Sequence, residues 1–252
     1  MALLELHDIS VRFGGILAVN GASLSAEAGQ ITGLIGPNGA GKTTCFNVIS
    51  GLQPPTSGEL FFGGRRINRA SVSQRARMGM GRTFQRLEAF GSLSVRENVL
   101  AARNILAGPA TWLRASPDRR VDELLELVGI TGYADVRADA VPTGVARLLE
   151  VARVLAIEPS LLLLDEPSSG LDRSETEQLG RLLQDLARDG RAVLMVEHDM
   201  DLVMSVCDRI HVLEFGTVIA EGTPQQIRSN RQVQVAYLGG APDEVPARTA
   251  AR

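Results

Sequence analysis

Gly36-Pro37-Asn38-Gly39-Ala40-Gly41-Lys42-Thr43 matches the pattern G-x-x-x-x-G-K-[ST] in full. Glycines at this spacing let backbone N–H groups turn inward around phosphate oxygens. The start of the following helix adds its partial positive charge. Lys42 supplies a mobile point charge for β- and γ-phosphates, and Thr43 offers a hydroxyl to Mg²⁺. Lys42 is also the only lysine among 26 basic residues; all the others are arginine. Elsewhere the chain meets its need for positive charge with a planar fork. Here it uses a compact ammonium, where a charge reaching between phosphates is wanted.

Two other spots share a form. Leu161-Leu162-Leu163-Leu164-Asp165-Glu166-Pro167 is an aliphatic run ending in two acids. In open parallel sheets, ligands bind beyond the carboxyl ends of the strands. Asp165 is suited there to hold Mg²⁺, directly or through water, and Glu166 to orient or deprotonate an attacking water. An Asp-Glu pair is also an ordinary polar strand end; its company with the phosphate loop favours the chemical reading. A second apolar run, 193–196, ends in Glu197-His198-Asp199. A lone histidine is more often structural or solvated, but His198 would close a strand on the same edge, in range of a γ-phosphate.

These residues need a scaffold to bring them together. Apolar or alternating runs bounded by turn residues predict strands over 3–9, 31–35, 58–62, 161–164, 192–196 and 209–214, with a short one over 218–220. Helical periodicity marks 42–50, 121–128, 145–156, 175–189 and 200–206. Thr223-Pro224 reads as an N-cap followed by proline at the first helical position. The runs at 31–35 and 161–164 are aliphatic enough to be parallel strands covered on both faces. Segment 87–159 lacks a strand pattern and interrupts the βα alternation. It predicts a helical subdomain inserted into an α/β core, within a single domain over 1–240. The tail, 241–252, is polar and rich in proline and alanine, and is expected to be disordered.

At 252 residues, 44% hydrophobic and net charge −3, the chain can bury a full-sized core and is not a disordered sequence. The balanced charge argues against a nucleic-acid partner, which calls for a basic face. No stretch nears the roughly 18 apolar residues of a membrane helix. The N-terminus lacks a basic, apolar leader, so a cytoplasmic location is expected. Cys45 and Cys207 have no metal-site spacing and read as reduced thiols.

The ordered motifs resemble the ATP-binding subunits of ABC transporters, over nearly the whole chain to about residue 239. The phosphate loop extends from Gly36 to Thr44; Thr83-Phe84-Gln85 is similar to the glutamine loop; LLLLDEP follows. Then come Ser168-Ser169-Gly170-Leu171-Asp172, which resembles the D-loop, and the switch histidine His198. The resemblance implies a P-loop NTPase core with a mostly parallel sheet, an N-terminal antiparallel β region and the inserted helical subdomain. It implies that Phe13, in VRFGG, stacks on adenine, and that Gln85 reaches both Mg²⁺ and the surface touching the membrane subunit. GMGRTFQ, SVRENVLAA and VIAEGTPQQIRSN…VQVAYLGG most resemble the branched-chain (hydrophobic) amino-acid importers, with urea importers and lipopolysaccharide exporters sharing parts of this wording. The implied cofactors are ATP and Mg²⁺. The implied partners are permease subunits, a second ATP-binding subunit and, indirectly, a solute-binding protein, with the chain peripheral on the inner face of the membrane.

One motif departs from the family. The signature loop, usually LSGGQ, aligns with Val141-Pro142-Thr143-Gly144-Val145, so the serine hydroxyl and the glutamine amide are replaced. Thr143 or the helix start is left to hold a partner's phosphate. A GTPase is the competing class, but its N-K-x-D needs a second lysine. A soluble, non-transport ABC ATPase would commonly carry two cassettes or long inserted arms. A module that only binds nucleotide would need no base, and Glu166 is present.

Overall fold

The computed structural model describes residues 2–84, 88–107 and 119–238. β1 (Ala2–Phe13) and β2 (Ile16–Glu27) form an antiparallel pair, and β3 (Ile31–Ile35) leads through the glycine-rich loop into α1 (Lys42–Ser50). β4 (Ser57–Phe62), β5 (Arg65–Arg66), α2 (Val72–Arg77) and β6 (Met80–Arg82) follow. Among the described residues, the α-helices α3 (Val95–Ala107), α4 (Arg119–Leu127) and α5 (Thr143–Leu155) come next. The chain then alternates through β7 (Leu161–Asp165), α6 (Arg173–Arg188), β8 (Ala192–Val196), α7 (Met200–Val206) and β9 (Arg209–Glu214). It ends with β10 (Thr217–Gly222), α8 (Pro224–Ser229) and α9 (Arg231–Leu238).

Two sheets result. One is antiparallel, in the order β2-β1-β4-β5; the other runs β10-β9-β3-β8-β7-β6 and is parallel except for β10. β3, β7 and β8 are buried at every residue. Their side chains alternate between two cores, as a two-residue period demands. Ile35, Leu162, Leu164, Val193 and Met195 pack with α3 to α7, while Leu34, Leu161, Leu163, Leu194 and Val196 pack with α1 and the antiparallel sheet. Each buried aliphatic side chain contributes about 1.5–3 kcal/mol. The carboxyl ends of these strands are therefore fixed platforms for whatever follows them.

The expected mixed architecture is present, with differences at the edges. β2 carries no clean alternation, because Gly21 takes a positive φ of 61° and the pairing with β1 shifts register repeatedly. β1 continues to Phe13 across such shifts rather than ending at residue 9. β6 is three residues long, too short to announce itself, and α3 was not marked as a helix by its periodicity. Thr223 does cap α8, with Gln226 completing a capping box and Pro224 at the helix start. Gln85 and the tail 241–252 lie outside the described residues. Among the described residues no helix is long and apolar enough to cross a membrane.

Candidate active site

The phosphate loop is built where the two sheets meet. A Cβ on Gly36 would stand 2.0 Å from the Leu213 carbonyl oxygen of β9, and one on Gly41 2.5 Å from the Ala18 carbonyl oxygen of β2. Both glycines have positive φ, 152° and 103°. Only residues without a Cβ let the backbone approach this closely. The Gly216 N–H adds a 2.9 Å bond to the Ala40 carbonyl. Gly41 is the N-cap of α1 and no side chain caps the helix, so its first N–H groups point into the loop.

Lys42 folds back over this loop. Its Nζ donates to the carbonyls of Gly36 at 2.7 Å and Pro37 at 3.0 Å, and the residue is buried. Burial lowers its pKa from the ordinary lysine value, opposed by the nearby Glu166 and Asp165. A cleft of about 260 Å³ lies in front, lined by Asn38, Lys42, Thr43, Glu166 and His198 among others.

Asp165 ends β7, and Glu166 is the first residue after it. The Asp165 N–H donates to the Thr83 hydroxyl at 3.0 Å, which holds the strand end. Its carboxylate is buried, and Oδ2 lies 3.3 Å from Arg82 Nη2. Burial pushes the Asp165 carboxyl up, against the pull of Arg82. Glu166 takes a left-handed backbone, φ 50°, unusual for a non-glycine and costing on the order of 1–3 kcal/mol. Its N–H bonds the Val196 carbonyl at 2.9 Å, and Oε1 lies 3.1 Å from His198 Nε2. Because β7 and β8 pair in parallel, their ends bring Glu166 and His198 side by side. Thr43 and Asp165 supply hard oxygen donors, the chemistry Mg²⁺ takes alongside water.

The remaining sequence-predicted residues lie at the end of β1 and the start of α5. Phe13 is half exposed at the end of β1. Pro142 is the N-cap of α5 with no side-chain cap, and Thr143 starts the helix. A Cβ on Gly144 would meet the Glu175 carboxylate at 2.8 Å, and one on Gly170 would meet Thr143 at 3.0 Å. The start of α5 thus packs against the 168–172 loop.

Sequence reasoning missed the residues that support these. Arg82 bridges Asn47 at 2.8 Å, Ser50 at 2.7 Å and Asp165, tying α1 to β7. Arg147 of α5 donates to the Phe84 carbonyl at 3.0 Å and the Ser169 carbonyl at 3.4 Å. Glu197 accepts from three backbone N–H groups. Nothing in the local pattern distinguishes these from surface charges; their partners are far away in sequence.

Comparison with known proteins identifies the family. The model of the family described as "ABC transporter" matches residues 19–169, and the "Branched-chain amino acid ATP-binding cassette transporter" model matches 217–245. The high-affinity branched-chain amino acid transport ATP-binding protein LivG of Salmonella typhimurium is 41% identical, over 95% of this chain and 98% of its own. BraF of Pseudomonas aeruginosa, described in the same words, is 42% identical over the same shares. The lipopolysaccharide export ATP-binding protein LptB of Haemophilus influenzae is 33% identical, over 95% and 98%. The crystal structure of a nucleotide-free ATP-binding cassette from an ABC transporter superposes with TM-score 0.85 at 28% identity, covering 95% of this chain and all of that one. The chain belongs to the ABC transporter family, as an ATP-binding cassette with ATPase activity.

Proposed function

We propose that this chain is the ATPase subunit of an importer of branched-chain or other hydrophobic amino acids. The observation that carries the chemistry is the convergence of Lys42, Glu166 and His198 on one cleft. In this reading Gly36, Pro37, Asn38, Gly39, Ala40, Gly41, Lys42, Thr43 and Thr44 cradle the phosphates, and Phe13 stacks on adenine. Thr43 and Asp165, with Gln85, hold Mg²⁺, which when bound neutralises charge on the β- and γ-phosphates. Glu166 takes the proton of the water that attacks the γ-phosphorus, and the bridging oxygen leaves with ADP. His198 holds the γ-phosphate and, through its 3.1 Å contact, the orientation of Glu166. Pro142, Thr143 and Gly144 face the ATP of a partner subunit.

The transported class rests on likeness. LivG and BraF are more similar to this chain than LptB, and the C-terminal match over 217–245 bears the description of a branched-chain amino acid transporter. Transmembrane permeases, which would hold this chain on the inner face of the membrane, a second ATP-binding subunit and a solute-binding protein complete the assembly. The chemical test is a pair of variants. Glu166→Gln should bind MgATP and lose nearly all turnover, since it removes the base and leaves the cradle. Lys42→Ala should lose binding. Near wild-type hydrolysis by Glu166→Gln would overturn the base assignment. Permeases co-purified from membranes would separate import from export.

A further inference from the structure

Glu197 is a buried carboxylate that the chemistry above does not use. It follows β8 directly, is 3% exposed, and sits beside His198. Burying a carboxylate is costly unless it is well bonded. Its described partners are backbone N–H groups on two separate segments. Oε1 accepts from Ser168 at 2.8 Å; Oε2 accepts from His198 at 2.9 Å and Asp199 at 3.3 Å. One oxygen thus holds the loop after Glu166, and the other holds the loop that carries His198.

These bonds close a ring. Glu166 N–H reaches the Val196 carbonyl, Glu166 Oε1 reaches His198 Nε2, the His198 N–H reaches Glu197, and Glu197 reaches back to Ser168, two residues beyond Glu166. The far side of the same loop is held by Arg147 on the Ser169 carbonyl, and Arg147 also holds the Phe84 carbonyl. The Asp199 side chain in turn caps α7 through the Leu202 N–H at 3.0 Å.

We propose that Glu197 is a positioning residue for hydrolysis: a carboxylate clamp that locks the 168–170 loop to the His198 loop and so sets the distance between Glu166 and His198. This rests on the catalytic reading of Glu166 and His198 given above. Glu197→Gln is the sharp test. Its carbonyl oxygen can serve His198 and Asp199, but its amide would then meet the Ser168 N–H donor to donor, so only the arm to Ser168 is lost.

The experiment uses the purified full chain and three readouts: MgADP affinity, steady-state ATP turnover, and backbone hydrogen exchange. Glu197→Gln should keep MgADP affinity within about twofold while kcat falls about tenfold or more, the scale expected when a catalytic group is misplaced by a fraction of an ångström. Exchange at Ser168 should speed up about tenfold, with residues 198 and 199 changing less. Turnover within about twofold of wild type, unchanged exchange at Ser168, or MgADP affinity falling as far as kcat would each overturn the proposal. Should Glu197→Gln not fold, Glu197→Asp, one methylene too short to span both segments, is read by the same criteria. Glu166→Gln is measured in parallel. If it hydrolyses ATP normally, the base assignment has failed, while Ser168 exchange in Glu197→Gln still reports the clamp.

Discussion

Lys42 is the residue on which both the binding chemistry and a convenient assay turn. Because no other lysine exists, an amine-acylating reagent can modify only Lys42 and the N-terminal amine. Burial lowers the Lys42 pKa, which raises the fraction of reactive free amine at mildly alkaline pH. MgATP is expected to protect Lys42 and leave the N-terminus labelled, read by peptide mass; equal labelling with and without MgATP would remove this amine from the phosphates. His211 gives a second test at the same scale. It is fully buried on β9, and burial holds its imidazole below the ordinary value of 6.5, against Glu221 at 3.7 Å. The fold keeps it neutral, so below about pH 6.5 the unfolded chain binds a proton that the native one refuses. Its contribution to stability is full above that pH and falls below it, by up to about 1.4 kcal/mol per pH unit. Urea midpoints at pH 5 and pH 7.5 should diverge less in His211→Leu than in wild type.

Elements explain how much of this was legible in the sequence. The three site segments were readable because each is local: an aliphatic strand, then its chemistry at the carboxyl end. Strands such as β3 and β7 show as unbroken apolar runs because both faces are covered. The supports were not readable because they join distant elements. Arg82 and Asp165 are 83 residues apart, and Glu197 and Ser168 are 29 apart. Arg75 is the plainest case: a fully buried arginine on α2 whose guanidinium donates to the carbonyls of Val48 at 2.5 Å, Ile49 at 2.6 Å, Ile67 at 2.9 Å and Ala70 at 3.0 Å. It satisfies the end of α1, the helix that starts at the phosphate loop, and its charge suits a helix C-terminus. Burial pushes its pKa down to about 10. Arg75→Met removes all four of these bonds, leaving Val48 and Ile67 only their backbone partners, and is expected to cost about 3 kcal/mol, seen in the urea midpoint. Arg75→Lys should recover little, because one ammonium cannot reach four carbonyls on two segments.

On the function proposed above, the whole molecule combines a complete phosphate loop with a signature loop that departs from the family pattern at Pro142 and Val145. In ABC dimers each ATP is held between one chain's phosphate loop and the other's signature. Here Pro142 and Val145 remove the hydroxyl and amide that would bind phosphate, each worth about 1.5–3 kcal/mol. A homodimer would carry the defect twice. A second, different ATP-binding subunit could offer a fuller signature to this chain's Lys42, Asp165, Glu166 and His198. The isolated chain is therefore expected to be mostly monomeric and a slow ATPase, and to speed up when joined by that subunit and the permeases. Light scattering with a steady-state assay decides it. A stable MgATP homodimer of Glu166→Gln, with rapid turnover by the isolated wild type, would contradict it.

Gly36 rests on a carbonyl of one sheet and Gly41 on a carbonyl of the other. A single methyl at either position meets main chain before it meets any phosphate: at Gly36 it presses on β9, the neighbour of β3 in the same sheet, and at Gly41 on β2 of the other sheet. Among natural variants, changes at these two positions would therefore show up as missing protein, cleared before assembly, rather than as transporters that reach the membrane and stand idle.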